Sequence, residues 1–124
     1  MILRTGVDLI ETARIAEAID RHGDRFLNRI FTPAEVELSG GRIPSLAGRY
    51  AAKEAVSKAF ATGIGDMRWV EIEILQDERK APQLVLHGSA SQIAVGLGLN
   101  TWSISISHTE SHAVGMAVAL GEGL

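Results

Sequence analysis

No cysteine occurs in the chain, which excludes a disulfide framework, a thiolate zinc site and a cysteine nucleophile. Aromatic residues make up only 5% of it, so platforms for stacking nucleic-acid bases are scarce and the core must be aliphatic, with backbones in close approach. Positive charge is not in excess either. Fifteen acidic side chains against twelve basic ones leave a net charge of −3, the wrong sign for a protein that binds by neutralising a phosphate backbone. Residues 81–109 carry no charged side chain, but Pro82, Gln83, Gln92, Asn100 and a run of serines spoil that stretch as a membrane span. Met1-Ile2-Leu3-Arg4 lacks the charged, then apolar, then small order of a secretion signal. These absences leave a cytoplasmic enzyme or binding domain as the expectation, with neither nucleic acid nor membrane as partner.

What is present is a globular composition, 46% hydrophobic over 124 residues, enough for one domain spanning residues 1–124. No repeat, linker or low-complexity tract interrupts it. Val7 and Leu9 alternate with Gly6 and Asp8 in a first strand running into Ile10. Ile15, Ala16 and Ile19 recur at helical spacing from Glu11 to His22, Gly23 is placed to stop that helix, and Asp24 can cap a short second one. Thr32-Pro33-Ala34-Glu35 is a capping box with proline at the first helical position. After the loop 39–44, Ser45 is placed to cap a helix from Leu46 to Ala61, with Gly63 as its stop. Ala47, Ala51, Ala55 and Ala59 fall four apart on it, a small-residue ridge that permits close packing. Val70, Ile72 and Ile74 alternate with acids and, with Leu84 and Leu86, predict a hairpin; Ser89 to Leu97 predicts a short helix; Trp102 to Ser107 and Ala113 to Leu120 predict a second hairpin. The fold class expected is α+β, a largely antiparallel five-stranded sheet packed with a helical block.

Two acids stand out. Asp8 interrupts an apolar strand, where an unpartnered carboxylate is costly to bury. It is either a cap for the following helix or a ligand. Glu54 lies in the alanine-rich helix, with Lys58 one turn on; the pair is either a surface ion pair or part of a site. If Asp8 and Glu54 share a metal, it is a hard one, and two carboxylates without cysteine favour Mg²⁺ completed by water and phosphate oxygens. Arg49, Lys53 and Ser57 form one row of this helix and Tyr50, Glu54 and Lys58 the next, so that Arg49, Glu54 and Lys58 either line one phosphate site or belong to a solvated basic face. Gly63 in Thr62-Gly63-Ile64-Gly65 is a helix stop or a loop that approaches a phosphate, though not a P-loop. His108 falls at the mouth of the last hairpin. Arg14, Arg21 and Arg25 make a narrow basic stripe, either solvated or a dock for an acidic partner.

Taken together, Gly6-Val7-Asp8, Phe31-Thr32-Pro33-Ala34-Glu35, the block Leu46 to Lys58, Thr62-Gly63-Ile64-Gly65 and Ser105-Ile106-Ser107-His108-Thr109 resemble the bacterial holo-acyl-carrier-protein synthases, in order and over nearly the whole chain. The resemblance implies a 4′-phosphopantetheinyl transferase of fatty-acid biosynthesis, which moves phosphopantetheine from coenzyme A to a serine of an acyl carrier protein. It implies Mg²⁺ on Asp8 and Glu54, catalysis by Asp8, Glu54 and Lys58, and coenzyme A contacts from Arg49, Lys58, Gly63 and His108. Carrier docking falls to Arg14, Arg21 and Arg25, in a homotrimer with intersubunit active sites. Two other readings stay open: the same transfer onto a polyketide or peptide-synthetase carrier, and a non-enzymatic coenzyme A or nucleotide-binding module. The family's first hairpin often carries Gly-x-Pro, whereas this chain has Lys80-Ala81-Pro82.

Overall fold

The alanine ridge organises the molecule. In the computed structural model, which describes residues 1–124, Ala47, Ala51, Ala55 and Ala59 are all sealed from solvent along one helix. The elements run β1 (Ile2–Glu11), α1 (Thr12–His22), α2 (Asp24–Ile30), α3 (Pro33–Ser39), α4 (Ile43–Ala59), a 3-10 turn (Trp69–Glu71), β2 (Ile72–Gln76), β3 (Pro82–Leu86), α5 (Gly88–Leu97), β4 (Thr101–His108) and β5 (His112–Gly121). Helix α4 lies across the inner face of β1 and β5, so closely that a Cβ added to Gly6 would run into the carbonyl of Ala55, and one on Gly115 into the backbone of Ala51 and Ala52. Glycines on the strands and alanines on the helix together set that spacing.

All five strands pair antiparallel, as expected, but in two hydrogen-bonded sheets, β1-β5-β4 and β2-β3, rather than one. Pro82, with no N–H to donate, opens β3 and suits an edge strand. In the larger sheet Gly115 of β5 sits between Asp8 of β1 and Ile106 of β4. Apolar packing divides around α4. One cluster joins Val56, Phe60, Ile72, Ile74 and Leu99 towards the small hairpin; the other joins Ile10, Ile15, Ile30, Phe31 and Leu46 under α1 and α2.

Three local expectations are corrected. Helix α4 begins at Ile43 with Pro44 in its first turn, and Ser45 does not cap it. It ends at Ala59, and the first left-handed residue beyond is Ala61 (φ 63°), two positions before Gly63 (φ 70°). Val70 belongs to the 3-10 turn, where Glu71 Oε1 accepts from the Arg68 N–H, so the strand starts at Ile72. The capping box is present as read: Thr32 Oγ1 accepts from the Glu35 N–H at 3.2 Å, and Glu35 Oε1 from the Thr32 N–H at 2.9 Å.

Candidate active site

Strand β1 alternates, and its even-numbered residues face α4 while Leu3, Val7 and Leu9 face out. Asp8 thus points inward near the strand's end, towards the row Tyr50, Glu54, Lys58 of α4. The Lys58 Nζ donates to Asp8 Oδ1 at 3.0 Å and to the Val7 carbonyl at 3.1 Å. Asp8, Glu54, Lys58, Tyr50 and Arg14 all line one cleft of about 460 Å³, floored by Ile10, Ile15 and Phe26. Here Glu54 meets Lys58, yet it makes no side-chain hydrogen bond and no ion pair. Partial burial, and next the like charge of Asp8, push its carboxyl above the usual range, with Lys58 opposing. Burial and the same two carboxylates also raise the phenol of Tyr50, whose ring stacks on Trp69 at 4.7 Å between centroids.

No cluster of three or more histidines, cysteines or carboxylates exists in the fold, so a protein-only metal cage is absent. Two mutually repelling carboxylates at an open cleft are nonetheless what a hard divalent cation needs when water and substrate phosphate complete its shell. The residues fit Mg²⁺.

The other row of α4 turns away from this cleft, so within one protomer Arg49 does not share it with Glu54 and Lys58. Lys53 is fully buried, and its ammonium spends all three donors, on Glu35 Oε1 (2.8 Å) and the carbonyls of Trp69 (3.1 Å) and Ile72 (2.6 Å). Burial pulls its pKa below the usual lysine range, Glu35 opposing. Glu35 Oε2 in turn accepts from the Ile74 N–H at 3.0 Å. Sequence reading gave Glu35 only its capping role and Lys53 only a place in a basic row, because nothing local in sequence links two residues eighteen apart.

Arg49 follows the same row into a second, smaller cavity of about 210 Å³, lined also by Ser45, Gln76, Lys80 and His108. Its Nε donates to the Ile74 carbonyl at 3.0 Å and Nη1 to Ser45 Oγ at 2.7 Å. Burial lowers its pKa, with Glu35 opposing. Gly63 lies in the loop after α4 and lines neither cavity. Arg14 sits on the rim of the Asp8 cleft, whereas the kink at Gly23 (φ 53°) breaks the basic stripe: Arg25 lines a separate recess with His22, Phe26 and Arg29, and Arg21 is exposed on α1.

The family model for the 4′-phosphopantetheinyl transferase superfamily matches residues 4–117. The chain belongs to that superfamily. It is an enzyme, a phosphopantetheinyl transferase. A holo-[acyl-carrier-protein] synthase of Koribacter versatilis is 44% identical over 122 residues, covering 95% of this chain and 98% of that protein. Another, from Dehalococcoides mccartyi, is 48% identical over 118 residues, covering 95% and 98%. The crystal structure of the Helicobacter pylori synthase in complex with coenzyme A superposes with a TM-score of 0.86 at 31% identity, covering 94% of this chain and 99% of that one. The α+β fold is the one those synthases share. No helix is long and apolar enough to cross a membrane.

Proposed function

We propose that this enzyme transfers 4′-phosphopantetheine from coenzyme A to a serine of apo acyl carrier protein in the cytoplasm, for fatty-acid biosynthesis, and does so with Mg²⁺. The observation that carries the reading is the convergence of Asp8, Glu54 and Lys58 in one cleft, with Arg14 on its rim. In the reaction the serine hydroxyl oxygen bonds to the phosphorus that bears pantetheine and gives up its proton to solvent, the P–O bond to the adenosine-side phosphate breaks, and adenosine 3′,5′-bisphosphate leaves. Asp8 and Glu54 would hold Mg²⁺, whose charge would neutralise phosphate oxygens of the substrate. Lys58 is placed to leave Asp8 for the pyrophosphate, countering charge on the leaving oxygen. Tyr50 and Phe26 shape an apolar wall that holds the substrate and limits water. Arg14, with Arg21 and Arg25 further along the exposed side of the helices, offers an acidic carrier protein a basic approach.

The site is completed between subunits in this reading. Asp8 and Lys58 lie at the β1 edge of the sheet and Arg49 and His108 at its β4 edge, while coenzyme A must meet both sets of cations. A cyclic arrangement that sets the β1 edge of one protomer against the β4 edge of the next joins the two halves, and a homotrimer closes the ring. The outer sheet face supports it: Leu3, Val7 and Leu9 are 63%, 57% and 67% exposed beside Met116 at 45%, an apolar patch that water-facing sheets avoid.

The test is incubation with coenzyme A, Mg²⁺ and apo carrier protein, followed by mass spectrometry of the carrier. The carrier gains one phosphopantetheine with the wild-type enzyme and none with Glu54→Ala or with chelator. An unmodified carrier under competent conditions, or a gain that Glu54→Ala leaves intact, refutes the proposal.

A further inference from the structure

The chain has one tyrosine, and it stands in the Asp8 cleft. Of the ten residues lining that cleft, four are charged and five are apolar, so Tyr50 carries the one uncharged side chain able to hydrogen-bond. The charged four match charged partners: Asp8 and Glu54 a cation, Lys58 and Arg14 anions. A neutral hydroxyl brought into the cleft has only Tyr50 to meet.

Tyr50 is held in place from behind. Its ring stacks on Trp69 with 4.7 Å between centroids and 24° between planes, and the Trp69 carbonyl accepts from the buried Lys53 ammonium at 3.1 Å. The phenol oxygen makes no hydrogen bond within the chain and is not a sealed, unpartnered atom, so it opens to the cleft. Opposite charges flank it. The carboxylates of Glu54 and Asp8 act on the phenol from one side, and the guanidinium groups of Arg14 on α1 and Arg29 on α2 act on it from the other. Tyr50 therefore marks the boundary between the half of the cleft that fits a cation with phosphate and the half that offers an acidic protein a basic approach. A serine carried by such a protein crosses that boundary on its way to the phosphorus.

We propose that the Tyr50 hydroxyl positions the acceptor serine, its oxygen accepting a hydrogen bond from the serine O–H so that a serine lone pair faces the phosphorus. The inference rests on the proposed reaction and assigns a partner to the one reacting group which that reading leaves without one. No bond to Tyr50 forms, and the serine proton leaves to solvent as the new P–O bond is made. Aligning a nucleophile acts on the chemical step. Affinity for the carrier comes from the basic flank, which Tyr50 does not alter.

The experiment compares wild type with Tyr50→Phe, which keeps the ring and its stack on Trp69 and removes one oxygen. Single-turnover transfer with saturating coenzyme A, Mg²⁺ and apo carrier protein is expected to fall roughly tenfold, as for loss of one hydrogen bond that orients the nucleophile. Tm and the KM values for carrier and coenzyme A should change little. An undiminished rate, or a loss that appears in KM alone, overturns the proposal. The second readout needs no turnover: enzyme grown on 3-fluorotyrosine carries fluorine at Tyr50 alone, and its resonance is followed as apo carrier is added without coenzyme A. A carrier with its acceptor serine replaced by alanine should move that resonance less than the intact carrier does; equal movement refutes the contact. If wild type transfers nothing to a competent carrier, the proposed reaction fails and the fluorine shift alone decides whether Tyr50 meets the serine. If wild type and Tyr50→Phe transfer equally fast, the reaction stands and the role of Tyr50 fails.

Discussion

Removing Lys53 is the sharpest test of how the fold holds the site. Lys53→Met leaves the Glu35 carboxylate fully buried with only the N–H groups of Thr32 and Ile74 beside it, and strips the carbonyls of Trp69 and Ile72 of a donor. An uncompensated buried charge of this kind typically costs about 3–5 kcal/mol. Against a total stability of about 5–15 kcal/mol the variant is marginal. For a chain of this size the loss corresponds to a fall in Tm of roughly 10–20 °C. Burial opposes the charged form of Lys53, and in buried pairs desolvation offsets much of the mutual attraction. Neutralising Glu35 as well should therefore restore part of the loss. Urea melts of Glu35→Gln, Lys53→Met and the double variant give the coupling, expected at about 1.5–3 kcal/mol. Because Ile74 bonds to Glu35 through its N–H and to Arg49 through its carbonyl, KM for coenzyme A rises in Lys53→Met even below its melting range. Additive single losses, or a Lys53→Met loss below about 1 kcal/mol, would refute the reasoning.

Glu54→Gln should lower kcat/KM for transfer by roughly 10²–10³ while raising Tm at neutral pH. The Glu54 carboxyl is raised in the folded state, so its contribution to stability is present below the unfolded pKa and lost as pH rises through the folded one. Measured without divalent metal, the Tm gain of the variant accordingly shrinks as pH falls into the carboxylate range; a variant that melts lower at pH 7 contradicts this. Gly6→Ala drives a methyl into the Ala55 carbonyl and should cost about 3 kcal/mol, at the upper end for overpacking, with transfer falling because Asp8 shifts from Glu54; unchanged denaturant midpoints would show that α4 is not so tightly seated. Mixing unfolded Glu54→Ala and Arg49→Ala chains and refolding them together should regain about a quarter of wild-type activity, the share of intersubunit sites that receive both intact halves in a ring; no regain would place both residues in one protomer's site.

Much of the fold is legible in sequence because local patterns and tertiary contacts agree. The ridge Ala47-Ala51-Ala55-Ala59 announces a helix that packs without side-chain bulk, and the glycines opposite, Gly6 and Gly115, are where its backbone touches the sheet. Helix ends are less legible. Pro44 starts α4 earlier than Ser45 suggests, since proline suits the first turn whatever follows. Division of the strands into two sheets is not written in any single strand, because alternation records which face is buried and not which neighbour is bonded.

The site is legible in part, for a geometric reason. Residues four apart on a helix share a face, so Tyr50, Glu54 and Lys58 are recognisable as a set, and Asp8 betrays itself as a charge in an apolar strand. Arg49 and Glu54 are five apart, which on a helix turns them some 140° from each other by the usual geometry, and α4 carries them to opposite sides of itself. Chain proximity therefore misleads: two sets of polar side chains grouped together in sequence are separated in the protomer by the thickness of the helix. In the proposed reaction a substrate that bridges them would find the second set on another copy, held at the apolar outer face of β1 and β5. The small core, the exposed sheet face and the divided site thus follow from one choice, a helix of alanines thin enough to carry chemistry on both flanks.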